Sequence, residues 1–112
     1  RQAESAMREC GITLNRNSLP YDPNGPWYTS GLRIGTPAVT TLGMGPEEMD
    51  EIAEILAAVI SHTRSLSRNG KKSSKYTLDE GIREQARGRV QKLLDRFPVY
   101  PGIDLDFLRN AL

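Results

Sequence analysis

A chain of 112 residues has room for one hydrophobic core and excludes two independent domains, because a chain of this size buries only about 60–70% of its unfolded surface. At 38% hydrophobic, 26% charged and a net charge of +1, it has the makeup of an ordinary soluble globular chain and lacks the field that would make nucleic acid or a membrane surface its main partner. The longest apolar run, Ile52–Ile60, is interrupted by Glu54 and falls far short of the roughly 20 residues that cross a bilayer. The single Cys10 can form no internal disulfide, which points to a reducing compartment and so to the cytoplasm.

The opening "RQAESAMREC" has no initiator methionine and no helix start. It reads as a piece cut from a longer chain, so a missing catalytic group is expected upstream. Ala3, Ala6, Met7 and Cys10 fall on one helical face, and Gly11 follows where a left-handed cap belongs. "GITLN" predicts a short strand. From Arg16 to Tyr28, "RNSLPYDPNGPWY" carries three prolines and an Asn-Gly pair, which is turn chemistry throughout. "GLRIG" returns to strand character, and Pro37 limits its central pairing.

Pro46 suits a first helical position, Glu47 and Glu48 suit the positive end of the dipole, and Met49, Ile52, Ala53, Leu56, Val59 and Ile60 form an apolar stripe. Together they predict a helix over 46–65. "LSRNGKKSSK" then breaks the period and reads as an exposed basic loop over 66–76. Thr77 and Glu80 have capping-box spacing, and a second stripe from Leu78 to Phe97 predicts a helix that Pro98 stops. The tail over 98–112 holds a Pro-Gly turn and a last helical turn. Short strands between amphipathic helices predict an α/β fold of the two-layer α+β kind, with helices covering a small sheet, as a single domain over 1–112.

Arg33 is the least generic residue, because no other charge lies within five positions on either side. In a strand it faces away from Leu32 and Ile34. Facing solvent, it is a routine edge charge; facing a cleft, its planar fork suits a carboxylate or phosphate, with Gly31 and Gly35 leaving room for close approach. "NRNS", Asn15 to Ser18, offers amides suited to a polar heterocycle, and turn formation explains those asparagines equally well. Trp27 and Tyr28 can stack on a ring or cover the core edge. His62 reads as a helix-end residue, Cys10 as a small buried hydrophobe, and Arg64, Arg68, Lys71, Lys72 and Lys75 as a solvated basic run. No metal-ligand spacing, P-loop or GxSxG elbow is present in the sequence.

Taken together, "ITLNRNSLPYDP", "SGLRIGTPAVTTLGMGPEEM" and "DRFPVYPG" resemble the C-terminal small domain of serine hydroxymethyltransferase, in order and spacing, over nearly the whole chain. The resemblance implies a pyridoxal-phosphate enzyme of the aspartate-aminotransferase fold type, a transferase that interconverts serine plus tetrahydrofolate with glycine plus 5,10-methylenetetrahydrofolate. It implies that Arg33 binds the amino-acid carboxylate and that Asn17 contacts the folate pterin ring. It places the Schiff-base lysine, the phosphate-binding groups and the residue stacking on the cofactor in a large domain of the same polypeptide, upstream of Arg1. No lysine here, all being at or after Lys71, lies in such a motif, so the chain alone is expected to be inactive. The full enzyme is expected to be a cytoplasmic homodimer or homotetramer. Two departures concern the surface: Leu42 replaces a basic residue common in relatives, and the Leu66–Lys75 link is longer and more basic. A threonine aldolase-like domain of the same fold type and a stand-alone anion-binding module are the alternative readings.

Overall fold

Helix α1 (Gln2–Glu9) ends as its sequence predicts. Gly11 adopts φ +83°, and the N–H groups of Gly11 and Ile12 donate to the carbonyls of Arg8 (3.0 Å) and Met7 (2.9 Å), a Schellman closure that turns the chain back along the helix. The computed structural model describes residues 1–25, Trp27, 29–66 and 75–112. Strand β1 (Asn15–Asn17) starts later than "GITLN" suggests, because Gly11 and Ile12 are spent in the helix cap and Leu14 is drawn into the core. It pairs antiparallel with β2 (Gly31–Arg33) in the register Asn15↔Arg33, Arg16↔Leu32, Asn17↔Gly31.

Pro37 does more than limit β2. It opens a short helix α2 (Pro37–Thr41), where its missing N–H costs nothing. Helix α3 (Pro46–Ser61) is shorter than the predicted 46–65. Its last carbonyls are taken by side chains: His62 Nδ1 donates to Ala58 O at 2.8 Å and Thr63 Oγ1 to Val59 O at 2.6 Å. The chain then leaves as strand β3 (Thr63–Ser65), which pairs antiparallel with β4 (Tyr76–Leu78). Thr77 is therefore a strand residue facing Arg64 in the ladder, not a helix cap. The cap of α4 (Glu80–Arg96) is Asp79, whose carboxylate accepts from Ile82 N at 3.0 Å. The tail forms α5 (Leu105–Ala111), capped by Asp104. Residues 67–74, the centre of the predicted basic loop, lie outside the described residues.

Helices α3 and α4 run antiparallel, since Arg96 reaches Glu48 (3.2 Å) while Arg89 reaches Glu54 (2.7 Å). With α1 they enclose a core in which Met7, Cys10, Ile55 and Val59 are almost completely buried beside Ala86 and Leu93. Leu32 from one ladder, and Tyr76 and Leu78 from the other, pack against it. The fold class is α/β in two layers, with the strand layer divided into two antiparallel ladders. No helix among the described residues is long and apolar enough to cross a membrane.

The β1–β2 connection is closed by one carboxylate. Asp22 Oδ2 accepts from Leu19 N (3.3 Å) and Ser30 N (3.0 Å), while Oδ1 accepts from Asn24 N (3.0 Å) and Ser30 Oγ (2.6 Å). Asp22 N donates to Leu19 O at 3.1 Å, closing a turn with Pro20 second and Tyr21 third at φ +54°, the type II pattern without its usual glycine. Chiefly through the Ser30 hydroxyl, and then the Asn24 N–H, these bonds hold the Asp22 carboxyl at about 2, below its ordinary 3.8.

Two expectations follow for the fold. Ile55→Ala opens a void in the core and lowers stability by about 2–5 kcal/mol, whereas Asp79→Ala removes only a helix cap and costs about 1 kcal/mol; urea-unfolding midpoints check the order. Because the folded carboxyl of Asp22 is depressed, its contribution to loop closure is full above its ordinary value of 3.8 and is lost as the pH falls through about 2. The amide protons of Asn24 and Ser30 therefore titrate with a midpoint near about 2; a midpoint at the ordinary aspartate value contradicts this closure.

Candidate functional site on the outer face of the first ladder

Directly paired residues of an antiparallel ladder share a face, and faces alternate along each strand. The register therefore puts Asn15, Asn17 and Arg33 on one side and Arg16 and Leu32 on the other. Leu32 packs on the core, and Arg16 sits 3.7 Å from Glu4 of α1, so that second side is the inner one. Asn15, Asn17 and Arg33 are all exposed on the outer side. Asn15 stands opposite Arg33. Asn17 is its diagonal neighbour, about 7–8 Å away between backbones.

Arg33 is electrostatically uncommitted. Arg8, Arg16, Arg83, Arg89 and Arg96 each sit against a glutamate. Among the described residues the Arg33 guanidinium has neither an ion pair nor a side-chain hydrogen bond. A guanidinium held by its strand but free of carboxylates is available for two parallel hydrogen bonds to an incoming anion.

The room expected at Gly31 is used by the chain itself. A Cβ there would stand 2.5 Å from Leu19 Cδ2 and 3.0 Å from Asn17 O, so a side chain at 31 would displace the Leu19 side chain and crowd the β1 backbone. At Gly35 a Cβ would meet only Pro37 Cδ at 3.6 Å, an ordinary contact. The Asn17 carboxamide donates to Ser18 O at 3.1 Å, leaving its oxygen outward.

The other sequence candidates lie elsewhere. Cys10 is fully buried, and that burial, with Glu9 adding to it, raises its thiol pKa, which suits a core residue rather than a nucleophile. His62 caps α3. Trp27 is 92% exposed, and Tyr28 lies outside the described residues, as do Arg68, Lys71 and Lys72. Arg64 belongs to β3 and Lys75 leads into β4. Asp22 was not signalled as functional, although "DPN" is the spacing of an Asx-turn, in which aspartate accepts from the N–H two residues on.

A cavity of about 210 Å³ opens between α2, α3, α4 and the segment that follows β2, lined by Leu14, Ile34, Val39, Met44 and Ile55 among others. Its walls carry no ionisable group, and Thr13 and Thr36 are its only polar side chains among the described residues. Lys75 and Lys92 are exposed, and neither belongs to the β1–β2 ladder.

Comparison with known proteins shows the family to which the chain belongs. A family model described as serine hydroxymethyltransferase matches residues 1–56, which contain β1, the Asp22 loop and β2. Serine hydroxymethyltransferase of Treponema pallidum is 54% identical over 111 residues, 97% of this chain and 19% of that protein. The Cutibacterium acnes enzyme of the same name is 45% identical over 107 residues (94% and 22%), and that of Chlamydia trachomatis 50% over 110 (96% and 22%). The chain thus spans about a fifth of the length of these relatives. With the family's matched segment carrying the whole outer face of the first ladder, the chain belongs to the serine hydroxymethyltransferase family.

Proposed function

We propose that this chain is the C-terminal small domain of a cytoplasmic serine hydroxymethyltransferase, in which Arg33 holds the carboxylate of serine or glycine and Asn17 contacts the pterin of tetrahydrofolate. The observation that carries this reading is an exposed Arg33 without a carboxylate partner, on the same ladder face as Asn17. Transfer of a one-carbon unit between an amino acid and folate requires the two substrates to touch. Recognition groups about 7–8 Å apart on one rigid face are suitably spaced for that.

In this reading Arg33 does more than add affinity. Two parallel hydrogen bonds fix the carboxylate plane and hence the orientation of the bonds at Cα, whereas a lysine ammonium supplies charge without the plane. The substrate's bond-breaking chemistry belongs to pyridoxal phosphate, held by a large domain of the same polypeptide, in keeping with a chain that spans about a fifth of the length of its relatives. The assembled enzyme is a homodimer or homotetramer.

In the full-length enzyme, Arg33→Ala is expected to weaken serine and glycine binding by roughly 10- to 100-fold, the loss of a charged hydrogen-bonded pair of about 1.5–3 kcal/mol, with cofactor content unchanged. Arg33→Lys recovers part of the loss. Unchanged serine affinity in Arg33→Ala would remove Arg33 from the site. Asn17→Ala is expected to raise the KM for tetrahydrofolate more than that for serine, which also separates this reading from a folate-independent relative of the same fold type.

A further inference from the structure

Asn17 has little of its own to hold it. Among the described residues its carboxamide makes one hydrogen bond, to the adjacent Ser18 carbonyl, so its direction follows the backbone from 17 to 19. That backbone lies at the open end of the ladder, where Asn17 pairs with Gly31 and the chain departs into the loop. From the geometry of that end we propose that Asp22 is a positioning residue for folate recognition, acting through Asn17. This inference rests on the assignment of Asn17 given above.

Three features support it. Asp22 bonds to both strands' extensions at once, receiving Leu19 N from the β1 side and the N–H and hydroxyl of Ser30 from the β2 side. Leu19, tied by its own N–H, lays its side chain over Gly31, so the carboxylate and the missing Cβ together set the separation of the two backbones beside Asn17. Tyr21 is held at φ +54°, a crowded conformation for a residue with a Cβ, and it persists because the bonds on either side of it leave the turn no alternative. Held well below the ordinary aspartate range, the Asp22 carboxyl stays ionised, and so keeps accepting, at any pH near neutrality.

Arg33 is anchored differently. Its neighbour Leu32 packs on the core, and α2 begins four residues later at Pro37. Loosening the loop therefore moves the Asn17 end of the face and leaves the Arg33 end in place. A residue that only stabilised the domain would weaken both substrates alike.

The test uses the full-length enzyme with Asp22→Asn, which keeps the size but puts an NH2 group where an oxygen accepted, and Ser30→Ala, which deletes one donor. Asp22→Asn is expected to raise the KM for tetrahydrofolate about fivefold or more while the serine dissociation constant, measured without folate, changes by less than about twofold. Ser30→Ala is expected to shift the folate KM in the same direction by less, and it decides the matter in the same terms if Asp22→Asn does not fold. A folate KM unmoved in both variants, or equal weakening of serine and folate, overturns the proposal. Asn17→Ala separates the two levels: if it raises the folate KM while Asp22→Asn and Ser30→Ala do not, only the role of Asp22 falls, and if it leaves folate binding unchanged, the Asn17 assignment and the role of Asp22 fall together.

Discussion

A one-residue slip in an antiparallel pair sends every side chain to the opposite face, so the site here depends on what holds the register of β1 and β2. Leu32 does so from one strand and Leu14 from the other: both are drawn toward the core, and Asn15, Asn17 and Arg33, each one residue or three from them, are necessarily turned outward. The shared outward face of Asn17 and Arg33 is thus a by-product of hydrophobic packing on the reverse side. No polar interaction is required to aim Arg33.

The same division explains the electrostatics. Glu4 of α1 and Glu48, Glu51 and Glu54 of α3 each meet an arginine from another element, tying strand to helix or helix to helix. Such exposed pairs contribute little individually. They do leave the outer face of the first ladder without a competing carboxylate, and an arginine there keeps its full capacity for an external one. The chain separates a mostly apolar cleft beside the core, whose walls carry no ionisable group, from a polar face across the strands that carries Arg33.

Much of this was legible from residue order. The Schellman glycine at 11, the proline start of α3, the apolar stripes of α3 and α4 and the stop before Pro98 are short-range features, and each appears where the pattern put it to within a few residues. The misplaced end of α3 and start of α4 share one cause. Residues 63–65 and 76–78 had helix-compatible or capping spacing, yet they pair with each other across a gap in sequence, and partners that distant leave no local signature. Asp79 replaced Thr77 as the cap for that reason: once Thr77 is committed to the ladder, the next residue able to accept from the first turn takes over.

For the site, the sequence by itself determined the chemistry: an isolated arginine between glycines, two asparagines at a strand end and a turn-rich loop between them, in an arrangement specific enough to resemble one enzyme family. It could not decide whether Arg33 was an ordinary edge charge or part of a shared recognition face, because spacing within a strand says which residues alternate and not which side is covered. Tertiary structure showed which side is covered: the partly buried Leu32 packs against the core, and Arg33 pairs with Asn15 on the exposed side. It also decided the importance of Asp22, whose four donors come from three residues that only the closed loop brings together.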